Sequence, residues 1–260
     1  PGGRMNTVAV APLRVSLPRI YALEAKLEFL RLLRAPSFAL PTLIFPPMFY
    51  LLSVMLSGHG GGDFQPNIYL LATLGVSGAM SPGLFGFGVT VAMDRERGWL
   101  TLKRAQPMPP GAYVAGKLLM AMLFAAIIFS IMAVLGMALG GVRLPITAWL
   151  LLFAVEVFGV LPFCAIGMFV GSLVSGQAAP AVANLIYLPM AILSGLWMPL
   201  AVLPAVIGNV APLWPAFHLG RLALAAVGQA SGESIVPHIA ALAGFTLVFL
   251  TLARRRLARA

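Results

Sequence analysis

Asp94 to Pro110 read DRERGWLTLKRAQPMPP, with Asp94, Arg95, Glu96, Arg97, Lys103 and Arg104 set between two long apolar runs. At mid-bilayer each such charge would cost roughly 2.5–3.5 kcal/mol, so an island of them between two membrane spans has to lie in water. The stretch is therefore a surface loop of a membrane protein. Gly98 opens a short helix in its middle, Trp99, Leu102 and Ala105 recur on one face, and Pro107 ends it. An amphipathic helix held at the membrane surface is suited to docking on a soluble partner. The central expectation is that such a partner drives the membrane part.

Composition agrees. Of 260 residues 60% are hydrophobic and 9% charged, with a mean hydropathy of +0.98, whereas a soluble domain carries about 25% charged residues. The net charge of +10 would suggest nucleic acid in a soluble chain. Here the basic residues crowd the loops of one side of a membrane, and no nucleic-acid partner is expected. Cys164 is the one cysteine, so no intrachain disulfide forms. His59, His218 and His238 have no acidic or cysteine partners at ligand spacing, and no metal site is expected. Neither a G-x-S-x-G elbow nor an H-E-x-x-H helix occurs. Gly111 to Leu118 fits G-x-x-x-x-G-K, but Leu118 stands where Ser or Thr should hold magnesium, and the string enters a membrane helix without a preceding strand. Nucleotide binding there, and an ATPase domain in this chain, are not expected.

Outward from the island the chain divides as follows. Residues 1–16 read as a cloning scar (Pro1 to Arg4, ahead of Met5) and an irregular lead. Residues 17–35 place Ile20, Leu23, Leu27, Leu30 and Leu33 on one face but are charged too often to span. They read as an amphipathic cytoplasmic helix in the interface, its basic residues near anionic head groups. Residues 36–260 are expected to form an all-α integral membrane domain with six transmembrane helices at about 37–57, 68–93, 113–140, 147–175, 178–198 and 236–254, each near the ~20 residues a hydrocarbon core requires. Pro41, Pro46 and Pro47 predict a kink or break in the first. Gly136-x-x-x-Gly140 and Gly167-x-x-x-Gly171 put small residues one turn apart for close helix packing.

Of the 17 basic residues, 15 fall in the N-terminal segment, the island with Lys117, and the tail; Arg143 and Arg221 lie opposite. Both termini and the island are therefore expected in the cytoplasm. Between the fifth and sixth spans, Pro199, Pro204, Pro212 and Pro215 interrupt an apolar stretch. Residues 199–220, with Trp214, read as a re-entrant helical segment, either a lid on the exit side or a surface-lying connector. Glu156, near the middle of the fourth span, is a functional-site candidate: a contact for a cationic substrate, a proton relay, or a buried protonated glutamate bonded to a neighbouring helix. Phe158, Met190 and Trp197 join it as candidates for an adaptable, largely apolar substrate pathway.

In their order these features resemble the ABC-2 family of ABC-transporter permeases, in its small bacterial half-size form. Arg95-Glu96-Arg97-Gly98-Trp99-Leu100 stands where the family has an E-R-x-x-G-T-L-like start, followed by Pro107 and by Tyr113-Val114-Ala115-Gly116-Lys117 entering the third span. Ser194-Gly195-Leu196-Trp197-Met198-Pro199 is similar to the family's Ser-Gly-x-x-x-Pro string, with Leu203-Pro204 and Pro212-Leu213-Trp214-Pro215 after it. Trp99 replaces a usually small or hydroxyl residue, and Pro109-Pro110 follow Pro107. The likeness runs from about residue 17 onward.

The resemblance implies a non-enzymatic subunit of the bacterial inner membrane. Two permease copies would pair as a homodimer over two separate ATPase subunits, which hold the ATP and magnesium; this chain holds no cofactor. Residues 98–106 would be the coupling helix, with Arg97, Gly98, Trp99, Leu100, Leu102, Lys103, Arg104, Gln106 and Pro107 at the ATPase contact. Asp94, Arg95 and Glu96 would set its angle by local ion pairs. The cargo would be small or amphiphilic: a drug or antibiotic, as in multidrug export, a lipid, or a peptide-like molecule. The alternatives are a stand-alone secondary transporter or channel using Glu156, a polysaccharide export permease, and a non-transporting membrane anchor.

Overall fold

The computed structural model describes residues 16–57, 65–105, 109, 111–230 and 232–257. Gln106, Pro107, His59 and the lead up to residue 15 lie outside the described residues, as does the side chain of Arg104. Every regular element among the described residues is helical. That is the expected outcome where hydrocarbon offers the backbone no hydrogen-bond partner and each segment has to satisfy its own N–H and C=O groups.

Helix α1 (Leu17–Leu33) leads into α2 (Pro36–Ser57), which runs through Pro41, Pro46 and Pro47 without the expected break. Pro46 is braced against α3, where a Cβ added to Gly78 would lie 3.3 Å from its Cγ. The second span is the axis of the bundle. It comprises α3 (Pro66–Ser81), a π-helical segment (Pro82–Val89) and α4 (Thr90–Glu96), and 89% of its most apolar window is buried inside the protein. Pro82 has no N–H to give to the preceding turn, and the ladder widens there to the π register.

The π segment is glycine-rich on the side that meets α8. A Cβ on Gly88 would fall 2.8 Å from the Cα of Gly167, and one on Gly83 would fall 2.7 Å from the Cβ of Phe163. Gly171 likewise abuts the Gly88 carbonyl. The Gly167-x-x-x-Gly171 pair thus brings two backbones into direct contact within one subunit. Gly136 and Gly140 serve the same end by admitting Leu71 and the Tyr50 hydroxyl.

Gly98, at φ +71°, ends α4 and turns the chain into α5 (Trp99–Ala105). Then come α6 (Ala112–Ala138), α7 (Ile146–Phe158), α8 (Val160–Leu173), α9 (Ala179–Leu193), α10 (Ala205–Val210), α11 (Pro215–Ala226) and α12 (Val236–Leu257). Helices α7 and α8 form one apolar run broken at Gly159, three residues before Pro162, which removes a hydrogen bond from that turn.

Five helices among the described residues are long and apolar enough to cross a bilayer: Pro36–Leu56, Pro66–Glu96, Ala112–Ala138, Ile146–Leu173 and Val236–Leu257. The stretch expected to span at 178–198 holds α9, which at 15 residues is shorter than these five. It stops because the chain turns at Gly195, whose φ is +77°. The stretch expected to re-enter the membrane divides in two. A 3-10 turn (Leu200–Val202) and α10 bury no residue, while α11 buries Pro215, Ala216, Leu219, Gly220, Ala223 and Leu224 in the core.

Candidate coupling site where α1, α4, α5 and α6 meet

Lys117 lies in the second turn of α6 and is fully buried. Its ammonium lies 2.9 Å from Glu28 Oε2, 2.8 Å from Thr90 Oγ1 and 3.1 Å from Asp94 Oδ2, so each of its three protons has an oxygen. Asp94 accepts from Arg31 at 2.9 Å on one oxygen and from the Tyr113 hydroxyl at 2.9 Å on the other. Lys103 of α5 pairs with Glu24 and lies 3.5 Å from Glu28. Three acids and three bases from four elements thus neutralise one another, which is the condition for burying any of them. Burial works against the Arg31 charge, but the hydrogen bond and charge of Asp94, with the charge of Glu28, outweigh it and raise its pKa.

Nothing in their sequence spacing brings these groups together. On α1 the apolar stripe is the outward one: Leu23 and Leu27 are exposed, whereas Ala25, Glu28 and Leu32 are buried. The helix therefore turns its carboxylates to the protein, and Leu23, Leu27 and Leu33 outward. Gly116 makes room for it, since a Cβ there would lie 2.6 Å from Glu24 Cγ.

The expected local ion pairs of Asp94, Arg95 and Glu96 are corrected by the structure. Asp94 bonds to α1 and α6. Arg95 donates to the carbonyls of Ser172 and, at 2.7 Å, of Val174, capping the C-terminal end of α8. Glu96 accepts from the Gly176 amide at 2.8 Å. The reason is helical geometry: neighbours in sequence point away from each other, and the bundle supplies closer partners.

Beyond the cluster, α5 turns Trp99 (46% exposed) and Leu102 (64% exposed) outward. Arg97 and Gly98 are exposed, Leu100 is half-buried, and Arg31 stacks 5.5 Å from the Trp99 ring centroid. A short helix thus presents an apolar face while its Lys103 is tied down.

The pathway candidates do not converge. Glu156 is buried against Gly75, and its Oε2 has no hydrogen-bond partner among the described residues. Met190 is buried. Phe158 lines an apolar groove of about 600 Å³ between α7, α8, α11 and α12, and Trp197 lines a separate one of about 310 Å³ with Tyr69 and Pro199. A third cavity, about 410 Å³, lies between α2, the π segment and α9; Thr42, Ser81, Asn184 and Tyr187 give it polar groups that sequence reasoning did not single out. Among the described residues there is no group of three or more His, Cys, Asp and Glu side chains able to hold a metal ion.

The family model described as ABC-2 family transporter protein matches residues 62–255. The chain belongs to the ABC-2 transporter family. It is similar to the "Putative transport permease YvfS" of Bacillus subtilis (strain 168), with 24% identity over 228 residues, covering 87% of this chain and 92% of that protein. As an ABC-2 member with several apolar helices, it is a multi-pass membrane protein and a transmembrane permease subunit of an ABC transporter. Permeases of this family work with an ATPase subunit. Glu24, Glu28, Arg31, Tyr113 and Lys117 of the ABC-2 chain were missed as site residues; a lysine inside an apolar span was the available signal, because it needs a counter-charge.

Proposed function

We propose that this permease exports a small or amphiphilic molecule, and that α5 is the coupling helix receiving force from a separate ATPase. The observation that carries this reading is the exposed Trp99–Leu102 face on a helix whose Lys103 is anchored to Glu24 and Glu28. Leu100, Arg97 and Gly98 complete the contact, together with Arg104, Gln106 and Pro107. Two ATPase subunits hold ATP and magnesium, and two copies of this chain pair above them. With most Lys and Arg on one side, both termini and α5 face the cytoplasm of a bacterium.

When the ATPase dimer closes, α5 moves about the hinge at Gly98. The charge cluster carries that movement three ways: through Lys103 to α1, and through Asp94 and Lys117 to α4 and α6. Because α4 ends the buried second span, the displacement enters the centre of the bundle. Cargo of drug, antibiotic, lipid or peptide-like character fits the mixed polar and apolar lining of the cavity beside Thr42 and Asn184. Pro199, Pro204, Pro212, Trp214 and Pro215 frame the lid at the opposite end.

The test is purification from native membranes. An ATPase subunit is expected in equal amount, and Trp99→Asp or Leu102→Asp should abolish its recovery without lowering the yield of permease. Unchanged co-purification in both variants, or cargo movement by the permease with no hydrolase present, contradicts the proposal.

A further inference from the structure

Away from the coupling site, α11 and α12 meet through two histidines. Through Ala253 and Leu257 the C-terminal end of α12 belongs to the apolar cluster that also holds Leu32 and Tyr113, so its first turn lies towards the other end of the bundle. There His218 of α11 and His238 of α12 approach with their Nδ1 atoms 2.9 Å apart. Sequence spacing gave these two residues no reason to meet.

Hydrogen counting constrains the pair. His218 Nε2 lies 2.9 Å from the Pro212 carbonyl oxygen. A carbonyl only accepts, so Nε2 carries the hydrogen and Nδ1 of a neutral His218 is a bare acceptor. The hydrogen in the Nδ1–Nδ1 contact therefore belongs to His238. The second nitrogen of His238 faces the Glu233 carboxylate at 3.7 Å, and Arg221 of α11 holds that carboxylate with two donors, one at 2.9 Å. The other groups nearby are few. Phe217 packs 5.9 Å from His238 and carries Arg221 over its ring, Tyr69 of α3 lies within reach of the Arg221 charge, and on α7 Glu156 is turned to Gly75.

Two imidazoles sharing one hydrogen tolerate a neutral or a singly charged pair. A second proton, on His218, would set two N–H groups against each other at hydrogen-bond distance. We infer that His218 and His238 form a proton-operated clamp between α11 and α12, closed at neutral pH while the two rings share one hydrogen and opened when His218 takes up a second proton that faces the first. Leu219 and Leu222 of α11 and Ile239 and Leu242 of α12 wall the 600 Å³ apolar groove, so opening the clamp loosens that wall. Burial, and after it the charge of His238, lower the His218 pKa, while the Pro212 carbonyl works the other way. A histidine with a lowered folded-state pKa contributes stability that is complete above its ordinary value near 6.5 and is lost as pH falls below it. The trigger is acid on the outer face of the membrane, which rests on the proposed inward placement of α5.

The test is hydrogen–deuterium exchange on the full chain in detergent between pH 8 and 5, corrected for intrinsic exchange. Peptides covering Ala226 to Ile239 should open by up to about tenfold per pH unit below the transition, as uptake of one proton requires. His218→Gln and His238→Gln should remove the step. A flat wild-type profile overturns the clamp without any variant being made, as does a step that survives in both. Binding of Zn²⁺ by the wild type, lost in both variants, would make the pair a metal site and also overturn it. Sidedness is read separately: Ser234→Cys should react with a membrane-impermeant maleimide in intact cells. Reaction only after permeabilisation would sink the orientation and leave the clamp standing.

Discussion

The two ends of this bundle are built on opposite terms. At one end, α1, α4, α5 and α6 are joined by buried charges whose every member has a partner. At the other, the 3-10 turn Leu200–Val202 and α10 bury nothing, and Val202, Val206 and Leu213 are each about seven-tenths exposed. A fully satisfied polar network holds one geometry, because any displacement strands a charge. A surface segment with few buried contacts opens at little cost. The proposed function would place the force-receiving contact at the first end and the yielding lid at the second.

Four measurements would break or sharpen that contrast. Lys117→Met should have the largest effect: it leaves Glu28 and Asp94 facing each other in a buried site, and thermal or denaturant unfolding in detergent should register a loss of about 3–5 kcal/mol. A loss below 1 kcal/mol would mean the cluster is not a rigid joint. Gly88→Ala comes next. It forces the π segment off α8, where the new Cβ would sit 2.8 Å from the Gly167 Cα, and should cost about 1–3 kcal/mol in the same assay. Lys103→Ala, at the more exposed rim of the cluster, should cost about 1 kcal/mol or less, yet it should weaken the coupling of nucleotide hydrolysis to cargo movement in reconstituted vesicles. Val206→Ser, at the opposite end, should stay within about 0.5 kcal/mol of the parent. If its cost matched that of Gly88→Ala, the two ends would not differ in stiffness.

Much of α5 was legible. Gly98 before it and the Trp99–Leu102–Ala105 spacing are local signals, and α5 starts one residue after Gly98 as they require. Its anchor was not legible. Lys117 looked like the end of a degenerate nucleotide loop, and its partner Glu28 lies 89 positions away on a helix whose leucine stripe drew attention to the wrong face. The fifth span was drawn too long because hydropathy persists through Ser194 to Trp197, whereas the backbone turn at Gly195 is a conformational event that hydropathy does not record. The histidine pair was dismissed for the same reason: ligand spacing is a sequence measure, and contact between α11 and α12 is not.

What the amino-acid sequence determined by itself is the medium and the division into helices. A run of apolar residues is costly in water and, inside lipid, has to bond its own backbone, and both constraints act along the chain. Tertiary structure alone decided which charges meet, which face of α1 is buried and which glycines touch. Those outcomes depend on short-range forces between segments far apart in the chain, and such forces act only once packing has brought the segments together.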